Sequence, residues 1–574
     1  MEDEKEWRFL GIQSKNRKEW VLSYLGAMHQ STTVVALYDT LGHQGIKYII
    51  NQTKVETFSV AAEQVVNLVK LKIEDSQNDN MMESFKNLII FEKNRLSEDE
   101  MKIVEESGLK IHYLDDLILL GSQIEARGTG EDKKPSIDDC LMLSYTSGTT
   151  GDPKGVILTH KMILNAADAT MHALQPNFVM AEKDCYISYL PAAHSYEQLS
   201  IGASLLSGMK CGFYSGNILK LTEDLQVLKP TVFSSVPRLY NRIYGKIQDK
   251  MKTSTGLAKF LLNTAVNSKM SNFEKDGSLT HFFWDKVVFK KIKALLGGNI
   301  QLMSVGSAPI SPDVINFIKV CFSAEVIEGY GMTETSAGSV TSMFGELRRV
   351  QGGPVRNVKV KLRDIPEMGY LSSNDPPRGE LCMYGSSIMP GYFRNPEKTA
   401  EAIKDGWIMS GDVAEIQQDG SIKIIDRAKN IFKLSQAEYI APEKLENVYT
   451  QSKYILQAFI YGDSLKDYVI GFFVPDPDTL AACAKEKEVA NPEDLLDNQE
   501  FIQTVYDDLM VLAAQNKFTS LEKPKQILLL KEQFTIENDM LTPTQKLKRN
   551  IARDKYKDKI DELYGKPIMK QTGK

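Results

Sequence analysis

Along the first 145 residues, short apolar runs alternate with longer stretches whose apolar positions recur at helical spacing. Runs at 8–12, 33–37, 87–91 and 110–113 predict strands. Trp20, Tyr24, Ala27 and Met28 fall on one face of a helix predicted over 16–30. The alternation continues with predicted strands at 185–189, 210–214, 231–236, 300–305 and 325–328. The lysine-rich stretch 238–296 predicts mostly helix, with one break at Gly277-Ser278. Strands separated by helices predict an α/β fold with parallel sheets covered on both faces. From about Gly352 the texture changes. Runs at 358–362, 379–384, 412–417 and 421–425 predict a β-rich subdomain over about 352–426, and Asp419-Gly420 marks a hairpin. Beyond Asp426 the remaining chain predicts a mixed α/β segment large enough to be a domain. The expected organisation is a large multi-layer N-terminal domain, 1–426, and a small C-terminal domain, 427–574. The last thirty residues, rich in Lys and Asp, predict a solvated helix and tail.

Composition narrows the class. A length of 574 residues predicts several domains, and 42% hydrophobic residues suit a globular chain. With 38 Gly and 21 Pro, the chain is far from a low-complexity or collagenous composition. The net charge of −6 argues against a general nucleic-acid binder. Six cysteines, at 140, 185, 211, 321, 382 and 483, form no C-x-x-C pair. That excludes a zinc ribbon or thioredoxin-like site and suits a reducing compartment. The charged opening from Met1 to Phe9 argues against a secretory signal, and no apolar run approaches the ~20 residues that span a bilayer. The expectation is a soluble cytoplasmic protein.

The most informative stretch is Tyr145-Thr146-Ser147-Gly148-Thr149-Thr150-Gly151-Asp152-Pro153-Lys154-Gly155, set between two apolar runs. Glycines let backbone N–H groups approach an anion, hydroxyls add donors, and the lysine adds charge. This is what a loop that cradles polyphosphate requires. The pattern differs from a Walker A loop, and a plain surface linker would not concentrate these residues between two buried strands.

The loop resembles the phosphate signature of the adenylate-forming superfamily: acyl-CoA synthetases, coumarate-CoA ligases, luciferases and peptide-synthetase adenylation domains. Further matches follow in the same order: Tyr189-Leu-Pro-Ala-Ala-His194, Gly306-Ser307-Ala308-Pro309, Glu328-Gly329-Tyr330-Gly-Met-Thr333-Glu334, Gly379-Glu-Leu-Cys382, Asp405-Gly-Trp-Ile-Met-Ser-Gly-Asp412, Asp426-Arg427-Ala-Lys-Asn430 and Thr542-Pro-Thr-Gln-Lys546. The stretch from Asp426 through Glu446, with Leu37–Gly42, Ser235–Tyr240 and Leu541–Arg549, resembles the eukaryotic-type long-chain fatty acyl-CoA synthetases.

That resemblance implies ATP-dependent activation of a long-chain fatty acid to acyl-CoA through an acyl-AMP intermediate, with ATP, Mg²⁺ and coenzyme A required. It implies a role for each matching residue. Thr146 to Gly151 and Lys154 would hold the β- and γ-phosphates. Glu334 would ligate Mg²⁺, and Thr333 would touch the α-phosphate. Gly306 to Pro309 and Glu328 to Tyr330 would form the adenine slot, with Tyr330 stacked on the base. Asp412 and Arg427 would hold the ribose. Lys546 would bridge the acyl carboxylate and the α-phosphate, with His194 beside them. It also implies that the C-terminal domain is mobile, turning about a hinge near 426–429, so that the 436–440 segment faces the site in the second half-reaction. An apolar substrate admits peripheral contact with the endoplasmic reticulum or another intracellular membrane; the oligomeric state stays open.

Taken singly, several of these residues have plain structural readings. Glu334 fits a helix N-terminus, Asp412 a turn, Lys546 a solvated surface and His194 a satisfied structural site. Three departures from the family pattern stand out. The match sets in deep within the family's N-terminal domain, which implies a shortened form or an incomplete gene model. Ala437 replaces the usual Gly. The histidine motif, ending Ala193-His194-Ser195, is more polar than usual. Two other readings stay open: a ligase with another acid or acceptor, and a nucleotide- or acyl-binding relative without turnover.

Overall fold

Every apolar run predicted as a strand in the first half enters one of two seven-stranded sheets. The computed structural model describes residues 7–123, 134–146, 153–308, 310–348, 350–428, 430–436, 439–542 and 545–571. The first sheet runs Lys110–Tyr113, Asn87–Ile90, Thr57–Val60, Phe9–Gln13, Thr33–Leu37, Cys140–Thr146, Lys154–Thr159. Its pairs are parallel except the last, where Lys154–Thr159 folds back antiparallel on Cys140–Thr146. Thr33–Leu37 is buried at all five positions, as a central strand covered on both faces must be. The strand Thr57–Val60 and the helices around it, His43–Thr53 and Ala62–Gln77, have no counterpart among the predicted elements. Four residues with two hydrophobic side chains show no readable period.

The second sheet runs Gly353–Pro354, Val340–Thr341, Glu325–Tyr330, Leu302–Val305, Val232–Ser235, Cys185–Ser188, Lys210–Phe213. Its helical cover over 238–296 departs from expectation. It breaks at Ser254-Thr255, both extended, into Pro237–Thr253 and Gly256–Asp276, and only then at Gly277. The β-rich subdomain forms as predicted around Val358–Arg363, Arg378–Gly385 and Trp407–Ile416, with Ile422–Arg427 returning through the Asp419-Gly420 turn.

Beyond this, Ile455–Tyr461, Ile470–Pro475 and Gln526–Leu529 make a three-stranded sheet with a core on each face. One core gathers Leu445, Tyr449, Phe473, Val505 and Leu509, the other Phe472, Phe534, Tyr556, Ile560 and Leu563. The predicted solvated helix near the end is therefore corrected. Arg549–Lys555 and Lys557–Tyr564 bury Ala552, Ile560 and Leu563 against this sheet, because their apolar residues fall on one face.

A buried polar knot joins the first two sheets. Asn16, just past the strand Phe9–Gln13, donates through Nδ2 to the Leu190 carbonyl at 2.6 Å and to Ser188 Oγ at 2.8 Å. Its Oδ1 accepts from the Ala192 amide at 2.9 Å. Beside it, the fully buried Glu197 accepts from Ser188 Oγ at 2.5 Å and from the Tyr186 hydroxyl. Satisfied polar groups of this kind specify one arrangement, because any other leaves buried donors unpaired. Burial raises the Glu197 carboxyl from 4.5 to about 8, against the pull of its Ser188 and Tyr186 bonds. The native state thus keeps a proton that the unfolded chain releases. The stability from this group is whole below about pH 4.5 and is lost as pH rises toward 8. Glu197→Gln should flatten that fall, so that Tm declines less between pH 5 and 8.5 than in the parent. Equal declines in thermal melts across that range would show that Glu197 is ionised in the fold.

Candidate functional site

The register of one antiparallel pair builds the centre of the site. Asp412 on Trp407–Ile416 lies directly across from Arg427 on Ile422–Arg427, and their side chains form an ion pair at 3.5 Å. Gly411, at φ +72°, makes the bend before Asp412 at no steric cost. Tyr330, closing a strand of the second sheet, donates its hydroxyl to Asp412 Oδ2 at 2.6 Å. Burial raises the Asp412 carboxyl, while Arg427, Tyr330 and Lys546 hold it down. Burial works against the Arg427 charge, but Asp412 and Glu443 outweigh it and raise its pKa.

After Tyr330 the chain turns sharply. A Cβ on Gly331 would lie 1.9 Å from the Ala337 carbonyl oxygen, so only glycine fits there. A short turn, Thr333–Thr335, follows, and Ser336 and Ala337 take positive φ. Strained backbone of this kind marks places where side-chain direction matters. Glu334 accepts from the Tyr392 hydroxyl at 2.7 Å, and the Lys154 ammonium stands 5.3 Å from the centre of the same ring. Lys154 lies across from Thr146 where the first sheet folds back. Tyr392 thus ties a cation to a carboxylate, and it was missed in the sequence because a lone aromatic in a loop carries no period. Gly306 and Ala308 flank Ser307, whose φ is +73°, beside Gly329 and Glu328. Glu328 accepts from Gln351 Nε2 at 2.7 Å, and Gln351 in turn accepts from the Ile424 amide at 2.6 Å. Among the described residues no group of three His, Cys, Asp or Glu side chains is arranged to hold a metal. One carboxylate, at Glu334, suits a hard cation that brings water and phosphate ligands with it.

His194 precedes the helix Ser195–Ser207, and its Nδ1 accepts from the Tyr196 amide at 3.1 Å. That bond leaves Nε2 to carry the proton. Burial, reinforced by the charge of Lys546, lowers the imidazole to about 4. His194 is therefore neutral at working pH, and it serves both the structural reading and the site. Lys546 stands next to Leu547, which bridges back to Leu541. Burial and the charge of Arg427 lower it to about 8, while Glu443, Asp412 and Glu334 support its proton.

Thr146, Lys154, His194, the 306–308 and 328–330 stretches, Thr333, Glu334, Asp412, Arg427 and Lys546 all border one cavity of about 2570 Å³. Ser147, Gly148, Thr149, Thr150, Gly151 and Pro309 lie outside the described residues, as do Lys429 and Ala437. Away from these polar groups the cavity has an apolar wall that includes Leu174, Met180, Leu199, Met209, Leu302 and Ile327. The arrangement combines clustered cations, a neutral imidazole and partnered carboxylates with an apolar extension. It suits charge neutralisation beside an apolar acid.

The family model described as AMP-binding enzyme matches residues 5–393. The chain is 40% identical over 560 residues to long-chain-fatty-acid–CoA ligase 5 of Rattus norvegicus, covering 97% of this chain and 80% of the relative. It is also 40% identical over 563 residues to long chain acyl-CoA synthetase 6, peroxisomal, of Arabidopsis thaliana, covering 97% and 77%. Among solved structures, the adenylation domain of a carboxylate reductase from Mycobacterium chelonae superposes with a TM-score of 0.79 at 23% identity, covering 98% of this chain and 81% of that one. That likeness carries the fold alone. With the family model spanning most of the chain and such relatives matching nearly all of it, the chain belongs to the AMP-binding enzyme family.

Proposed function

We propose that this protein activates long-chain fatty acids to acyl-CoA, using ATP and releasing AMP and pyrophosphate. The observation that carries the reading is the meeting of Lys546 with Asp412, Arg427, Glu334 and His194 in a cavity that continues into an apolar wall. The two relatives at 40% identity support the acid and the acceptor, since both names specify that chemistry.

In the first half-reaction the fatty carboxylate, already ionised at pH 7, attacks the α-phosphorus of ATP. A carboxylate O–P bond forms and the bond to the bridging oxygen of pyrophosphate breaks. No general base is needed; the barrier is the approach of anion to anion. Lys546 offsets charge where the carboxylate meets the α-phosphate. Asp412 and Arg427 hold the ribose, Tyr330 stacks on the base, and Thr333 orients the α-phosphate. Thr146 through Gly151 and Lys154 hold the β- and γ-phosphates. Bound Mg²⁺, held by Glu334 with phosphate oxygens, would neutralise charge on the departing pyrophosphate. The neutral His194 separates the acyl carboxylate from the nucleotide without adding charge. In the second half-reaction the thiol of coenzyme A attacks the acyl carbon, its proton is released, and the acyl–oxygen bond to AMP breaks. We assign residues 427–574 to a domain that turns about the segment near 426–429, so that the 436–440 segment faces the site for this step. The substrate's apolar chain also supports peripheral contact with an intracellular membrane.

An ATP–pyrophosphate exchange assay across fatty acids, repeated with coenzyme A, tests the reading; exchange with no fatty acid would refute it. Removing a preorganised donor of this kind costs roughly 10²–10³ in rate. Lys546→Ala should lose exchange by about that factor yet convert supplied acyl-AMP to acyl-CoA at close to the parent rate. Equal losses in both half-reactions, in a folded variant, would contradict the assignment. The charge of Lys546 is present below its folded value of about 8 and is lost above it. The kcat/KM for exchange should therefore fall as pH rises through 8, whereas a flat profile from pH 6.5 to 9.5 would count against Lys546 as the charged group.

A further inference from the structure

The hydrogen bonds around Lys546 are mostly local. Thr542 donates its amide to the Lys546 carbonyl at 2.8 Å, and the Lys546 amide donates to Thr542 Oγ1 at 3.0 Å. Leu541 and Leu547 bridge across it, and Gln545 takes φ +61°. All of these bonds are local and would travel with the loop.

One contact reaches outward from the residue next to the lysine. The Arg238 guanidinium donates from one terminal nitrogen to Gln545 Oε1 at 2.7 Å, joining residues 307 positions apart. Arg238 sits in the first turn of the helix Pro237–Thr253, which is rigidly placed. Tyr240, fully buried two residues on, donates its hydroxyl toward the Phe233 carbonyl at 3.2 Å and the Ser304 carbonyl at 3.1 Å. The donor is thus fixed to the second sheet, and the acceptor is one peptide from the lysine. Arg238 forms no ion pair with a carboxylate among the described residues, so the neutral amide of Gln545 does not have to displace one. A neutral acceptor also makes a contact that can be released, since a carboxylate would bind a guanidinium about twice as strongly.

We propose that Arg238 is a positioning residue that seats Lys546 for acyl-adenylate formation through its hydrogen bond to Gln545. The proposal rests on the reading of Lys546 as the adenylation lysine. It assigns Arg238 no contact with substrate. Its effect is confined to the conformation in which the loop is docked.

The test measures both half-reactions on Arg238→Ala, Arg238→Lys, Gln545→Ala, the Arg238→Ala/Gln545→Ala double variant and Gln545→Glu, beside Lys546→Ala. Arg238 and Gln545 are exposed, so these variants retain the fold. Arg238→Ala and Gln545→Ala should each lower kcat for pyrophosphate exchange about tenfold, with KM for ATP changed less than twofold. Supplied acyl-AMP should still be converted to acyl-CoA at the parent rate. The double variant should lose no more than either single one, and Arg238→Lys should recover part of the loss. Gln545→Glu, which turns the contact into an ion pair, should keep exchange and slow the thioester step severalfold. Additive losses in the double variant, equal losses in both half-reactions, or unchanged exchange would overturn the proposal. If Lys546→Ala itself leaves exchange intact, the underlying reading fails, and that outcome is distinct from loss of exchange in Lys546→Ala with none in Arg238→Ala.

Discussion

The pairing of Asp412 with Arg427 is the interaction on which the rest of the site depends. A carboxylate taken out of water needs donors placed around it, and an isolated one would take up a proton instead. Asp412 receives an ion pair from its cross-strand neighbour, a hydrogen bond from Tyr330, and the field of Lys546. These partners come from the β-rich subdomain, the second sheet and the C-terminal loop. One carboxylate therefore gathers three separate parts of the fold at a single point. The pairing itself is set by strand register. A slip of one residue between the two strands would put Asp412 and Arg427 on opposite faces and break the pair.

Around this centre the charges are balanced but kept apart. Lys546 and Arg427 repel each other, and both lie among the carboxylates Asp412, Glu443 and Glu334. Burial, with that repulsion added, makes the lysine hold its proton less firmly than one in water, although the carboxylates keep it charged near neutrality. His194 stays uncharged in the same surroundings, because burial and the lysine act in the same direction. The loop before it is pinned from both sides, by Asn16 from the first sheet and by Gln198 Nε2 on the Ala192 carbonyl at 2.6 Å.

The fold was largely legible in the chain. The long buried strands announced themselves as apolar runs, and Asp419-Gly420 turned where its composition demanded, with Gly420 at φ +84°. What escaped was short or locally ambiguous. Thr57–Val60 is too brief to show a period, and the break at Ser254-Thr255, ahead of Gly256, interrupts a stretch of otherwise uniform lysine-rich helical composition. The final helices look solvated because Lys and Asp dominate their composition, while Ile560 and Leu563 on one face hold them to the sheet.

By itself, the sequence determined the chemistry available and its order along the chain: hydroxyl and glycine donors, one lysine after Pro153, a carboxylate at Glu334, and Asp412, Arg427 and Lys546 in collinear motifs. These are properties of residue type and local spacing, which a linear string carries. Only the tertiary structure decided which groups face one another. Tyr392 between Lys154 and Glu334, Tyr330 on Asp412, Asn16 beneath the histidine loop and Arg238 on Gln545 all join residues far apart in the chain. Their pairing depends on sheet order and register across the whole molecule. No local pattern encodes that geometry, and it is also what moves the lysine and histidine away from their ordinary proton affinities.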